Sequence, residues 1–344
     1  MQDDLSPVDV SLITLGWSGF FADQVTAEDQ GLEPMRIATV HRSRLTAISS
    51  SGPVRPFLAA KVNTTDFAVG DWVLVNPVTK VLIRRLDRKA LLRRPVEGSR
   101  MPQLIAANVD TLFIVTSCNA DFNAARLERY LALANEAGTD PVIVLTKADE
   151  AADPAHYLRD AAALQRGLAV VTVNATVPEA ADALAPWCGP GRTVALVGSS
   201  GVGKSTLLNT LADKDEDDAQ QTGSIREGDA KGRHTTTSRS LHGIQGGGWV
   251  IDTPGMRTLH LGDVAAGLDQ LFAEITELAP LCRFRDCTHA HEPGCAVQAA
   301  VAAGTLDAGR LDRWRKLHDE NRDNTPVQIG ARGNKTTLDP RKRR

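Results

Sequence analysis

The chain has 344 residues, 42% of them hydrophobic and 24% charged, with a formal net charge of −3. This is the composition of a globular chain of two or three domains. It excludes a uniformly basic nucleic-acid coat, and no apolar run approaches the roughly 18 residues that a membrane-spanning helix needs. The opening MQDDLSPVDV is acidic where a signal peptide is basic, so a cytoplasmic, monomeric protein without a membrane partner is expected.

After an N-terminal extension (1–35), residues 36–95 read as a small barrel. The segments RIATV, RLTAI, VRPFLAA, DWVLV and KVLIRRL are short, rich in β-branched residues and separated by Gly, Pro and Asn. The end of this region is basic: Arg84, Arg85, Arg88, Lys89, Arg93, Arg94 and Arg100 stand against Asp87 and Glu97. A run of five acids and one lysine, Asp213 to Asp218, and a basic tail ending PRKRR are the other charged stretches. Each taken singly also suits a solvated surface.

Residues 96–265 change texture. DTLFIVT is a buried strand, and NAARLERYLALANEAG sets Leu127, Tyr130, Leu131 and Ala134 at helical spacing before a stop at Gly138. PVIVLT, LAVVTV and TVALVG follow as strands, with helices around Tyr157 to Leu164 and from Gly203. Strands alternating with helices imply a parallel α/β sheet.

Gly198-Ser199-Ser200-Gly201-Val202-Gly203-Lys204-Ser205 fits G-x-x-x-x-G-K-[ST] between strand and helix. Its N–H groups, with that of Thr206, can cradle phosphates, Lys204 can neutralise the outer phosphate, and the Ser205 hydroxyl can ligate Mg²⁺. WVIDTPG ends a strand with Asp252, which can hold the metal through water, and Gly255, whose N–H can sense a γ-phosphate. Between them GSIREGDAKGRHTTTS reads as a switch loop whose Thr235 or Thr236 can complete the magnesium shell.

The base elements lie upstream. In Thr146-Lys147-Ala148-Asp149 the carboxylate can accept the N1–H and 2-amino hydrogens of guanine, groups that adenine lacks, while Lys147 lays its stem along the base. Asn174-Ala175, after another strand, can present an N–H to the guanine oxygen. In an ordinary GTPase the phosphate loop comes first and the base motifs last; the order here is that of a circularly permuted GTPase. A P-loop ATPase or kinase with nucleic-acid-binding modules is the alternative.

Residues 266–344 are helical around CRFRDCTHAHEPGC. Cys282, Cys287, His289 and Cys295 have the composition of a closed Cys₃His zinc site, with His291 as an alternative ligand and three buried thiols as the plain alternative. Cys118 and Cys188 read as buried thiols.

These residues together resemble the RsgA (YjeQ) family of ribosome-biogenesis GTPases, through VGDWV, AANVDTLFIV, GSSGVGKSTLLN, GRHTTT, DTPGMR and the cysteine cluster. The resemblance implies an N-terminal OB-fold β-barrel, a circularly permuted P-loop α/β domain and a C-terminal α-helical zinc-binding domain. It also implies binding to the small ribosomal subunit and its rRNA late in maturation, with GTP hydrolysis to GDP stimulated by that subunit. Thr146 departs from the usual Asn, which loses an amide that would contact the base and brace the phosphate loop. Asn174 replaces a common Ser. Met256 stands where Ras-like proteins carry a water-orienting Gln, and the resemblance points to His234 as the residue that reaches the attacking water.

Overall fold

The computed structural model of the chain describes residues 11–60, 62–94, 102–212, 239–252 and 262–325, with the backbone of 328–329 and 335–336. The expectations for Arg100, the acidic run 213–218, His234, Thr235, Thr236, Gly255, Met256 and the tail side chains beyond 332 lie outside those residues. Among the described residues no helix is long and apolar enough to cross a membrane.

The N-terminal part holds a one-turn helix α1 (Gly19–Ala22) and strands β1 (Glu33–Val40), β2 (Leu45–Ser49), β3 (Gly52–Val54), β4 (Trp72–Val75) and β5 (Leu82–Arg85). β1 pairs antiparallel with β4 through its first half and with β2 through its second. A bridge from Phe57 to Val81 closes the barrel around Met35, Ile37, Leu45, Phe67, Val73 and Leu82. The expected third strand, VRPFLAA, does not form as such: β3 ends at its first residue, Val54, Pro56 has no N–H to donate to a ladder, and Phe57 makes only the isolated bridge to Val81. A ribbon of β6 (Leu91–Arg94) and β7 (Gln103–Ala107) follows.

The central part runs β8 (Thr111–Ser117), α2 (Ala124–Ala137), β9 (Asp140–Thr146), α3 (Pro154–Ala162), β10 (Ala169–Thr172), α4 (Glu179–Leu184), β11 (Thr193–Val197), α5 (Lys204–Ala212), β12 (Ser240–Gly243) and β13 (Trp249–Asp252). Every residue of β8 and β11 is buried, as a parallel sheet covered on both faces demands. Helix α2 starts where the Asn123 side chain accepts from the Arg126 N–H and stops at Gly138, whose φ of 73° is left-handed; both are caps with a physical cause.

The strand order is β10-β9-β8-β11-β13-β12, continuing into β1-β2-β3. The first five are parallel, and β12 is antiparallel to β13. The chain winds outward from β8 to β10 and then returns to the other side of β8 with β11. Winding reverses between β8 and β11, and ligands of open α/β sheets bind outside the carboxyl ends at such a reversal. The glycine-rich loop leaves β11 there.

Barrel and central sheet are joined by the pairing of Thr39 with Ser240 and by Arg36, which is almost completely buried. Its guanidinium donates to the Leu15 carbonyl at 2.6 Å and to the Thr193 hydroxyl at 2.7 Å, and burial brings its pKa down to about 10. Gly70 of VGDWV has φ 92°, and a Cβ there would lie 2.2 Å from the Ala107 carbonyl. Only glycine allows that approach. Asp71, next to it, is fully buried and takes two bonds from Arg88, at 2.6 and 2.7 Å.

The C-terminal part contains α6 (Ala265–Leu271), α7 (Ala273–Leu278), α8 (Ala296–Ala302) and α9 (Ala308–Asn324), and a two-residue hairpin β14 (Gln328–Ile329) and β15 (Lys335–Thr336). Gly267 lets α6 press on α2, since a Cβ would meet the Ala132 carbonyl at 2.1 Å. Glu128 of α2 has no exposure and accepts from Arg310 at 2.8 Å and Arg313 at 2.9 Å on α9.

Candidate functional site

The phosphate loop is shaped by three left-handed glycines, Gly198 (φ 144°), Gly201 (φ 81°) and Gly203 (φ 89°). A Cβ on Gly198 would stand 2.1 Å from the Val115 carbonyl, so β8 itself enforces glycine at this position. Helix α5 begins at Lys204, which leaves the first-turn N–H groups of Lys204, Ser205 and Thr206 pointing out of the helix end. The Lys204 ammonium bonds the Ser199 carbonyl across the loop. Val202 is buried, Ser199, Ser200 and Gly201 line the rim, and Ser205 is half-buried.

β9, beside β8, delivers the first base element to the same end of the sheet. Thr146 is fully buried, and its hydroxyl lies 2.7 Å from the Val202 carbonyl inside the phosphate loop and 3.2 Å from the Thr116 carbonyl. The brace expected to be lost with Asn is therefore made by the threonine hydroxyl. Lys147 takes a left-handed φ of 55°, which turns the chain sharply off the strand. Asp149 then sits exposed in that turn and Lys147 half-buried below it, an arrangement that can present a carboxylate to a base edge and an alkyl stem to its face.

The second base element follows β10. The Asn174 side chain accepts from the Thr176 N–H at 3.0 Å and hydroxyl at 2.6 Å, an Asx turn that fixes the loop. Thr210 on α5 bonds the Ala175 carbonyl at 2.9 Å. The helix that starts at the phosphate loop thus also holds this base loop. Asp252 ends β13, whose Ile251 pairs with Ala195 of β11, and is half-buried on the strand next to the phosphate loop. That suits a carboxylate that holds Mg²⁺ through water.

Cys282, Cys287, His289 and Cys295 bring their donor atoms within 4.8 Å of one another. Cys282 Sγ is 3.8 Å from Cys295 Sγ, and His289 Nδ1 is 3.5 and 3.4 Å from these two sulfurs. A tetrahedral zinc ion with Zn–S about 2.3 Å and Zn–N about 2.0–2.1 Å sets its donors roughly 3.5–3.8 Å apart. The residues fit such an ion. His291 is exposed and outside the cluster. Burial holds the His289 imidazole below its ordinary pKa, favouring the neutral form that ligates metal. Burial opposes ionisation of Cys282, but N–H groups of Ala296 and Val297 outweigh it and bring that thiol down, whereas burial pushes Cys287 up to about 12.

Two features here escaped the sequence reading. Glu292 accepts from the N–H groups of Thr288 (2.8 Å), Ala290 (3.0 Å) and His291 (3.1 Å), knotting the ligand loop around itself. The spacing of Thr288 and Glu292 was the available signal. Trp314 of α9 lies 5.3 Å from the His289 ring, a contact no local pattern announces. Cys118 and Cys188 are buried, as expected, and burial pushes Cys188 up to about 12.

Base elements that precede the phosphate loop in the chain yet meet it at one end of the sheet define the class: a circularly permuted P-loop GTPase. Within that class the model of the RsgA GTPase family matches residues 85–262, and the chain belongs to that family. It is 68% identical over 334 residues to a small ribosomal subunit biogenesis GTPase RsgA of Mesorhizobium japonicum, covering 97% of this chain and 96% of that one. A second relative, RsgA 2 of Vibrio vulnificus, is 50% identical over 309 residues, covering 89% and 87%. Among solved structures, YjeQ from Thermotoga maritima aligns with a TM-score of 0.63 at 26% identity over 84% of this chain and 98% of its own. YloQ, described as a circularly permuted GTPase, aligns at 0.60 and 22% over 88% and 100%, a likeness of fold.

Proposed function

We propose that the chain binds the small ribosomal subunit and hydrolyses GTP to GDP and phosphate during that particle's late maturation, with the subunit stimulating the reaction. The observation that carries this is the bond from Thr146 to Val202, which locks a T-K-x-D turn to a phosphate loop, together with relatives named for small-subunit biogenesis. Asp149 selects guanine, Lys147 covers its face, and the Ala175 N–H, in the turn held by Asn174, meets the guanine oxygen. Gly198 through Thr206 hold the phosphates by backbone N–H groups, and Lys204 neutralises charge that builds on the outer oxygens. Water bonds to the γ-phosphorus as the bond to the β–γ bridging oxygen breaks; His234 orients that water, and the Gly255 N–H senses the γ-phosphate.

Ser205, Asp252 and Thr235 or Thr236 would hold Mg²⁺, which supplies charge neutralisation at the β- and γ-oxygens. Cys282, Cys287, His289 and Cys295 would hold one zinc ion that knits the C-terminal helices. We divide the protein into an extension (1–35), an OB-fold (36–95), the permuted GTPase domain (96–265) and the zinc-binding domain with its basic tail (266–344), acting as a cytoplasmic monomer. A nucleotide titration tests the assignment. GTP and GDP bind far more tightly than ATP, and Asp149→Asn shifts preference to xanthine nucleotides; equal affinity for ATP and GTP contradicts it.

A further inference from the structure

The loop after β10 is held from three directions at one residue. Ala175 is 6% exposed, and its methyl lies in the same apolar cluster as Leu207 and Leu211 of α5. The peptide that follows it is gripped at both ends: the Thr176 N–H donates to Asn174 Oδ1 at 3.0 Å, and the Ala175 carbonyl accepts from the Thr210 hydroxyl of α5 at 2.9 Å. Among the described residues that carbonyl has no other donor, and the Ala175 N–H has no partner at all. A buried N–H without a partner is rare, and it is satisfied when a ligand brings an acceptor.

Thr210 is suited to this grip. Its hydroxyl is also 3.1 Å from the Thr206 carbonyl one turn back, the contact that selects a rotamer for a threonine inside a helix. Thr206 already has its helical partner, so the bond that matters is the one to Ala175. With methyl and following peptide both fixed, the few φ/ψ combinations open to a residue with a Cβ leave the Ala175 N–H one direction. That direction is set by the helix that starts at the phosphate loop.

We propose that Thr210 is a specificity-determining positioning residue: acting through the Ala175 peptide, it aims the Ala175 N–H at the 6-oxo group of guanine. This rests on the proposed guanine recognition. A site built around one hydrogen bond discriminates against a base that cannot complete it, so the contribution of Thr210 depends on what atom the base carries at position 6. A side chain that merely stabilises the loop supports every nucleotide alike.

The probe is 6-thio-GTP, which keeps the N1–H, the 2-amino group and the triphosphate of GTP but carries sulfur, a weak acceptor, at position 6. Affinities of full-length, zinc-loaded protein for GTP and for 6-thio-GTP are measured with Mg²⁺ for wild type, Thr210→Val and Thr210→Ser. Thr210→Val keeps the shape and removes the hydroxyl. It is expected to lose about threefold to tenfold in GTP affinity, the effect of removing one hydrogen bond to a buried carbonyl, and less than about twofold for 6-thio-GTP. The ratio of the two affinities therefore shrinks, while Thr210→Ser, which keeps the hydroxyl, retains the wild-type ratio. Equal losses for both nucleotides overturn the proposal, because Thr210 then only stabilises the loop, and so does an unchanged GTP affinity. Should Thr210→Val fail to fold, Asn174→Ala frees the other end of the same peptide and must shrink the ratio in the same way. A wild-type protein that binds ATP as tightly as GTP refutes guanine recognition itself, whereas a wild-type preference for GTP with an unshrunken ratio refutes only the role of Thr210.

Discussion

Replacing Glu128 by alanine removes a carboxylate with no solvent exposure that joins α2 to α9. Arg310 would lose its 2.8 Å bond and Arg313 its bonds at 2.9 and 3.1 Å. Breaking a buried pair from one side typically costs about 3–5 kcal/mol, because the remaining charge stays buried without its partner. Here Arg310 keeps Glu274 at 2.8 Å, the Leu271 carbonyl at 2.7 Å and the Phe272 ring at 4.1 Å. Arg313, 30% exposed, can turn to water. The expected loss is therefore at the low end, about 3 kcal/mol. It falls on the contact between central and C-terminal parts, so hydrogen exchange along α9 reads it best, as faster exchange by about a hundredfold for that loss. Glu128→Met with Arg310→Met removes both charges, and its cost should be well below the sum of the single costs. A change under about 1 kcal/mol in Glu128→Ala, or strict additivity in the double variant, would refute the claim that this ion pair ties the two parts together.

The Thr146 brace gives a second test: Thr146→Val should weaken GTP binding about tenfold, the effect of leaving the buried Val202 carbonyl without its partner at a cost of about 1–2 kcal/mol, while Thr146→Ser stays near wild type. Gly198→Ala should abolish nucleotide binding in titration calorimetry, since its Cβ has only 2.1 Å to the Val115 carbonyl. Elemental analysis should find one zinc per chain, and a strong chelator or Cys295→Ser should lower the thermal midpoint of the C-terminal helices, because metal binding there is also folding energy. The Arg84 guanidinium, paired at 2.6 Å, holds Asp29 well below the usual carboxylate range. A depressed folded pKa contributes stability above the unfolded value of about 3.9 that is lost as pH falls toward the folded one, so Asp29→Asn should flatten the acid limb of a melting profile below about pH 4.

What could be read in the residues was whatever depended on neighbours in the chain. The apolar runs of β8, β9 and β11 announce a buried parallel sheet, Asn123 and Gly138 bracket α2, and glycine spacing marks the loop after β11. β12 was invisible because SLHG holds a single strong apolar residue and earns its place by pairing with β13 and β1. The β6–β7 ribbon was hidden by its arginines, which suggested solvated surface where Arg93 meets Asp263 and Arg94 meets Gln103. Nothing local singles out Glu128, because its partners lie 182 and 185 residues away. The role of Thr146 was misjudged for the same reason. Sequence shows that an amide is missing, and only the approach of Val202, 56 residues on, shows that a hydroxyl can take over its brace.

The central claim is most directly tested by GTP turnover of the full-length protein measured alone, with small ribosomal subunits and with large ones. Slow hydrolysis alone, stimulation by small subunits only, and loss of that stimulation in His234→Ala with GTP binding intact is the expected result. Turnover that is the same with and without small subunits would contradict the account.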